Sequence, residues 1–191
     1  MSHKPIASGK SSYNNIDSKI LFVELNLKDD TIFLDVACGI GLYSLAAADF
    51  VKDKGKIYAV DLWADGINSL QKEIVSRRQT NVYAFVSDVS KKIPVGKNEV
   101  DVCLMATVLH DLIEDKTDIG TVNEICRVIK PDGLLAIIEF KKIEGPPGPP
   151  VKIRINPNEV KEILSNYGFK QQKTMEIGQY HYLSIFINAK N

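Results

Sequence analysis

Residues 33–44, FLDVACGIGLYS, carry the densest set of groups able to hold a small charged ligand. The segment runs from an apolar strand through a glycine turn into a helix expected to begin near Leu42. Gly39 and Gly41 let a backbone approach a ligand closely, and the helix start offers free N–H groups. Read loosely, this is a phosphate loop of the dinucleotide kind. Two departures change the chemistry. Ser44 stands where that loop has its third glycine, and Asp35 sits in the strand just before the turn. An acid there repels a pyrophosphate. It attracts a ligand carrying an ammonium and a sulfonium.

Further acids follow at intervals. Asp61 ends an apolar run about twenty residues past the glycines, where an acid can hydrogen-bond ribose hydroxyls. Asp88 follows the next run and could accept a hydrogen bond from an adenine amino group. Beyond a fourth run stand His110 and Asp111. A histidine there could take a proton from a hydroxyl, an amine or a carbon acid. The plainer alternative is a histidine that caps a loop or orients a neighbour.

The elements that must position these groups alternate strand and helix. Residues 31–36, 56–61, 82–86, 100–105 and 134–139 are short apolar runs, mostly without alternation, as in parallel strands buried on both faces. Between them Ile67, Leu70 and Ile74 mark one helical face, and Ile119, Val122, Cys126 and Ile129 another. Asn156, Pro157 and Glu159 read as N-cap, first helical residue and capping-box partner. Gly168 closes that helix, whose stripe is Val160, Ile163, Leu164 and Tyr167. Residues 169–177 and 180–188 are two strands joined at Gly178, with no room for a crossover, so they are antiparallel. The sequence GPPGPP at 145–150 reads as a stiff polyproline connector.

This topology bears on the acceptor side of the site. The last strand runs against the others, so Tyr180 and His181 fall at the edge where the parallel strands end. Glu139 and Lys141 leave the fifth strand toward the same edge. His110, Glu139 and His181 would bind a metal only with matched geometry; a polar pocket wall is the expected role, and no metal is expected.

The ordered series DVACGIG, AVD, SDV, VLHDL and IKPDG resembles the class I S-adenosylmethionine-dependent methyltransferases. It is especially similar to their quinone-biosynthesis and other small-molecule branch. The resemblance covers roughly residues 30 to 140. It implies an α/β, Rossmann-like fold with a seven-stranded, mainly parallel sheet and an antiparallel terminal strand. It also implies methyl transfer from S-adenosylmethionine by in-line displacement, with S-adenosylhomocysteine as product. By the same resemblance Asp35, Ala37, Cys38, Gly39 and Gly41 would cradle the methionyl part. Asp61 and Leu62 would hold the ribose and one side of the adenine, with Asp88 and Val89 on the other. Ala106 would lie beside the transferring methyl. Ala37 departs from the family, standing at its first glycine position. Residues 1–14 resemble an N-terminal lid on one domain spanning 1–191.

Composition narrows the partners. Lys plus Arg and Asp plus Glu are 24 each, giving no net charge and no broad attraction for nucleic acid or anionic membrane. No run is long and apolar enough to cross a bilayer, and residues 1–10 lack a signal peptide's apolar core. The three cysteines make neither a disulfide framework nor a zinc pattern, so a cytoplasmic setting is expected. Cys38 reads as a small loop filler, and Cys103 and Cys126 as core, which argues against arsenic as acceptor. With no large appended domain, a small-molecule acceptor is expected, with no nucleic acid and no membrane insertion. Two rivals stay open: a nicotinamide-dependent oxidoreductase, and a protein that binds S-adenosylmethionine without turnover.

Overall fold

The computed structural model describes residues 9–190. In chain order the elements are α1 (Ser18–Leu25), β1 (Ile32–Val36), α2 (Leu42–Ala47), β2 (Lys56–Asp61), α3 (Ala64–Ser76) and β3 (Val82–Val86). There follow β4 (Val100–Ala106), α4 (Leu109–Glu114), α5 (Asp118–Val128), β5 (Ile129–Phe140), α6 (Pro157–Ser165), β6 (Phe169–Glu176) and β7 (His181–Asn188). The strands form a single seven-stranded sheet in the order β3-β2-β1-β4-β5-β7-β6. All neighbours are parallel except that β7 runs against both β5 and β6. The reversed strand is thus the last in sequence but lies inside the sheet. One edge strand, β6, exposes Lys170 and Lys173, and such charges discourage pairing with another edge.

Each central strand is buried on both faces, which is why its sequence does not alternate. Leu34, Val36, Met105 and Ile137 point toward α4, α5 and α6, where Val122, Ile125, Val160 and Leu164 complete one core. Phe33, Leu104, Ile138 and Leu183 point the other way, against Leu21, Phe22 and Leu25 of α1 and Tyr43 and Ala47 of α2. Burying one such aliphatic side chain contributes about 1.5–3 kcal/mol. The helix at Pro157 starts as its residues require: the Asn156 side chain accepts from the N–H groups of Asn158 and Glu159, and Glu159 accepts from the Asn156 N–H.

Three details differ from the sequence reading. The buried face of α5 is Thr121, Val122, Ile125 and Val128; Ile119 is exposed, and Ile129 is already extended and opens β5. β5 begins five residues earlier than expected, because Ile129 pairs with Val100 before an irregularity and Leu134 with Val102 after it. Residues 145–150 are no stiff connector, as described below. β1 sits between β2 and β4, so the chain leaves it in opposite directions on the two sides. The ends of β1 and β4 therefore open a crevice at the carboxyl edge of the sheet.

Candidate functional site

The crevice floor is the loop after β1. Gly39 and Gly41 both have left-handed backbones, with φ of 59° and 73°, but they do different work. A Cβ on Gly41 would meet Leu70 of α3 at 2.4 Å, so this glycine is needed for packing. A Cβ on Gly39 would meet nothing within 4 Å: its surface is open to a ligand. Ala37 also has a left-handed backbone, φ 56°, where an L side chain is strained. Ala37→Gly is therefore expected to raise stability by about 1 kcal/mol while leaving ligand affinity within a few-fold; a lower melting temperature would remove the strain argument.

Two acids flank this floor. The Asp35 side chain is buried on the α2 face, and its Oδ2 accepts a 2.6 Å hydrogen bond from Ser44 Oγ. Burial raises its pKa to about 7, with the charge of Asp61 adding and the Ser44 hydrogen bond opposing. An acid in that condition is best relieved by a cation. Asp61 ends β2, where its Oδ2 accepts from the Gly39 N–H at 2.7 Å and its Oδ1 from the Trp63 N–H at 2.7 Å. The carboxylate fixes the loop and keeps further lone pairs for a ligand's hydroxyls. Burial, then Asp35 and Asp61, push the Cys38 thiol well up, so it is a neutral filler and no nucleophile.

The chain entering from the N-terminus crosses this crevice. A Cβ on Gly9 would lie 3.5 Å from the Trp63 ring, and Ser12 Oγ lies 2.8 Å from Tyr43 Oη and accepts from Thr107 Oγ1 at 3.3 Å. Tyr13 meets Tyr43 edge-on, and the Asp17 N–H reaches the Ile177 carbonyl. The part of the expected lid at 1–8 lies outside the described residues.

On the acceptor side, strand alternation sends Glu139 and Tyr182 to one face and their neighbours Phe140 and His181 to the other. Glu139 is fully buried and meets His110 of α4, with its Oε2 2.7 Å from Nδ1. Burial works against the imidazolium, but the hydrogen bond and charge of Glu139, helped by Asp111, outweigh it and raise the pKa of His110. His181 lies across from Phe140, ring centroids 4.5 Å apart. Its nitrogens are buried without good hydrogen-bond geometry among the described residues, the Asn15 backbone being the supporting polar group. Burial, with Arg154 and Lys141 adding, pushes it down to about 4, so it is neutral wall. The two histidines thus share an edge but are separated by the Phe140 ring. Among the described residues no three His, Cys, Asp or Glu side chains are grouped to hold a metal.

Other expected residues sit less centrally. Lys141 pairs with Glu176 of β6 at 2.8 Å. Tyr180 precedes β7, and its carbonyl accepts from the Lys141 N–H. Asp88 lies two residues beyond β3 and is engaged by Ser90 and Lys91, which lower its pKa. Val89 is buried in the core, Leu62 is exposed, and Ala106 ends β4 at the crevice. Sequence reading missed Trp63, Phe140 and Arg154, which belong to no local pattern of spacing, and gave no separate role to Tyr43, inside the 33–44 motif, or to Ser12, inside the expected lid.

With this geometry in place, comparison with known proteins decides the family. A methyltransferase domain matches residues 34–137, more than half of the chain. The chain belongs to the methyltransferase domain family. Among solved structures, a SAM dependent methyltransferase from Aquifex aeolicus is 31% identical and covers 95% of this chain and 94% of that one, with a TM-score of 0.84. The demethylmenaquinone methyltransferase of Shouchella clausii is 24% identical over 61% of this chain and 48% of its own length. The human tRNA N(3)-cytidine methyltransferase is 25% identical over 58% of this chain and 30% of its own. The chain spans about half the length of the curated relatives it matches. This methyltransferase domain has the Rossmann-like fold expected from its motifs.

Proposed function

We propose that the chain transfers a methyl group from S-adenosylmethionine to a small-molecule acceptor and releases S-adenosylhomocysteine. The observation that carries this is the open surface of Gly39 set between a buried acid, Asp35, and a loop-fixing acid, Asp61. The set fits a cationic amino acid joined to a ribose. It does not fit a pyrophosphate, which the acid Asp35 opposes.

When bound, S-adenosylmethionine supplies a methyl already activated on a sulfonium. The chain's own task is alignment and exclusion of water. Asp35 and the loop Ala37–Gly41 would hold the amino-acid end, Asp61 and Leu62 the ribose, and the segment around Asp88 and Val89 the adenine. Ala106 would flank the methyl, and residues 9–14 would cover the crevice. His110 would remove a proton from the acceptor, with Asp111, Tyr180 and His181 shaping the space around it. A small acceptor is favoured by the zero net charge and by the small-molecule branch that the motifs resemble. The free cysteines agree with a cytoplasmic setting, and no helix among the described residues is long and apolar enough to cross a membrane.

S-adenosylmethionine and S-adenosylhomocysteine should raise the melting temperature, by about 2.7 kcal/mol of added stability at a hundred times their Kd. NAD and NADP should leave it unchanged. Stabilisation by a nicotinamide cofactor alone would overturn the reading.

A further inference from the structure

We infer that Glu139 is the positioning residue for His110, fixing the imidazole with its proton on Nδ1 and its lone pair on Nε2. The inference rests on the methyl-transfer reading for its purpose but not for its test.

Glu139 grips His110 at two points. Its Oε2 is 2.7 Å from Nδ1, and its Oε1 accepts from the His110 backbone N–H at 3.3 Å. The carboxylate is fully buried, so this contact is little screened by water. A carboxylate accepts and does not donate, so the neutral ring facing it carries its hydrogen on Nδ1. Nε2 is then the basic atom. It points toward Asp111, with Oδ1 3.4 Å away and the Asp111 side chain 40% exposed to solvent. The edge of Phe140 closes a further side of the ring, centroids 5.8 Å apart.

This arrangement gives a proton a direction. The acceptor's proton would pass to Nε2, leaving its bonding pair for the methyl that bound S-adenosylmethionine would supply, with the methyl–sulfur pair left on sulfur. The imidazolium is stabilised by Glu139 on one side and Asp111 on the other, and Asp111 can hand the proton to solvent. The charges facing the ring are Glu139 from β5, Asp111 from its own helix and, opposing them, Arg154 from the loop before α6. Lys10 in turn faces Asp111. Of these, only Glu139 touches Nδ1.

Nitrogen-15 NMR of the imidazoles in the ligand-free protein tests this, with His110 assigned by loss of its signals in His110→Asn. The neutral His110 ring of the parent should show the Nδ1–H form. In Glu139→Gln, which keeps size and shape, its pKa should fall by about one unit or more, roughly tenfold in proton affinity, as only Asp111 is left to oppose burial and Arg154. A purely structural Glu139 would lower the melting temperature of that variant without moving the pKa. An Nε2–H form in the parent, or a pKa in Glu139→Gln within a few tenths of the parent's, would sink the assignment. If Glu139→Gln does not fold, the parent's tautomer decides alone. None of these readouts needs a cofactor, so failure of the methyl-transfer reading in the thermal-shift experiment is distinguishable from failure here.

Discussion

Replacing Arg154 with Met is expected to cost about 3 kcal/mol of stability and to open residues 141–153. Arg154 is buried, and its guanidinium donates to five backbone carbonyls, those of Pro149, Lys141, Ile143, Gly145 and Pro147, at 2.8–3.1 Å. The loop between β5 and α6 is wound around one cation. Gly148 packs so tightly on Phe140 that a Cβ there would lie 2.6 Å from the ring, and the guanidinium lies 5.4 Å from the same ring's centre. A hydrogen bond to a charged group contributes on the order of 1.5–3 kcal/mol, yet the five do not add. The loop's outer side faces water, so its carbonyls rehydrate once it opens, and the net loss stays near that of breaking one buried charged network. Met keeps the length and the apolar stem but none of the donors. In a chain of this size the melting temperature should drop by roughly 10 °C, with faster amide exchange confined to the loop. A drop under about 2 °C with unchanged exchange would show that the prolines, not the arginine, hold the loop.

That loop marks the boundary of what could be read from residues alone. GPPGPP has a strong local preference, and a stiff extended segment is what it suggests. The guanidinium that overrides it stands outside the repeat, and its acceptors are backbone carbonyls that any sequence would supply. Nothing in residue types signals such a contact. The strands were legible for the opposite reason: a strand buried on both faces must be apolar at successive positions, and a two-residue connection at Gly178 leaves no other pairing. β5 extends ahead of its apolar run because the chain absorbs Pro131, Asp132 and Gly133 as an irregularity and already pairs at Ile129, which an apolar run starting at Leu134 does not signal. The spacing of Ile119, Val122, Cys126 and Ile129 overreaches at both ends: the buried face turns through Thr121, Val122, Ile125 and Val128, which leaves Ile119 exposed in the first turn and Ile129 beyond the helix.

The site divides the same way. Asp35, Gly39 and Asp61 lie on one strand–loop–helix–strand unit, so spacing carries them into place together. Glu139, Phe140, His110 and His181 come from three separate elements. Topology brings them to one edge, but which face each takes depends on parity along β5 and β7. Adjacent residues on β5 therefore part company, Glu139 going to His110 and Phe140 to His181. A metal site using both histidines with Glu139 is broken by that parity.

Asp35→Asn is expected to bind S-adenosylmethionine about ten- to a hundredfold more weakly and yet to melt higher than the parent at pH 8. The sign follows from where the proton sits. The folded carboxyl has a pKa near 7, against 3.8 for the unfolded chain, with burial as the main cause. Between pH 4 and pH 7 the unfolded chain has lost this proton while the folded chain keeps it, so the parent loses stability as pH rises through that window. The full cost, on the order of 4 kcal/mol for a gap of this size, is reached above pH 7. Asparagine has no proton to lose, and its side-chain oxygen still accepts from Ser44. The two proteins should therefore be closest in stability near pH 4 and diverge upward, the difference being reduced by burial of the new amide N–H groups. Binding runs the other way. A cationic ligand draws Asp35 into its charged form, and losing that charge-assisted contact accounts for roughly 1.5–3 kcal/mol of affinity. Affinity for S-adenosylmethionine should rise with pH through 7 in the parent and stay flat in Asp35→Asn. Calorimetry with S-adenosylmethionine at pH 6 and pH 8, beside thermal melts of both proteins, checks each arm separately. Lower stability at pH 8 together with unchanged binding would make Asp35 a structural acid and leave the cation to be held elsewhere.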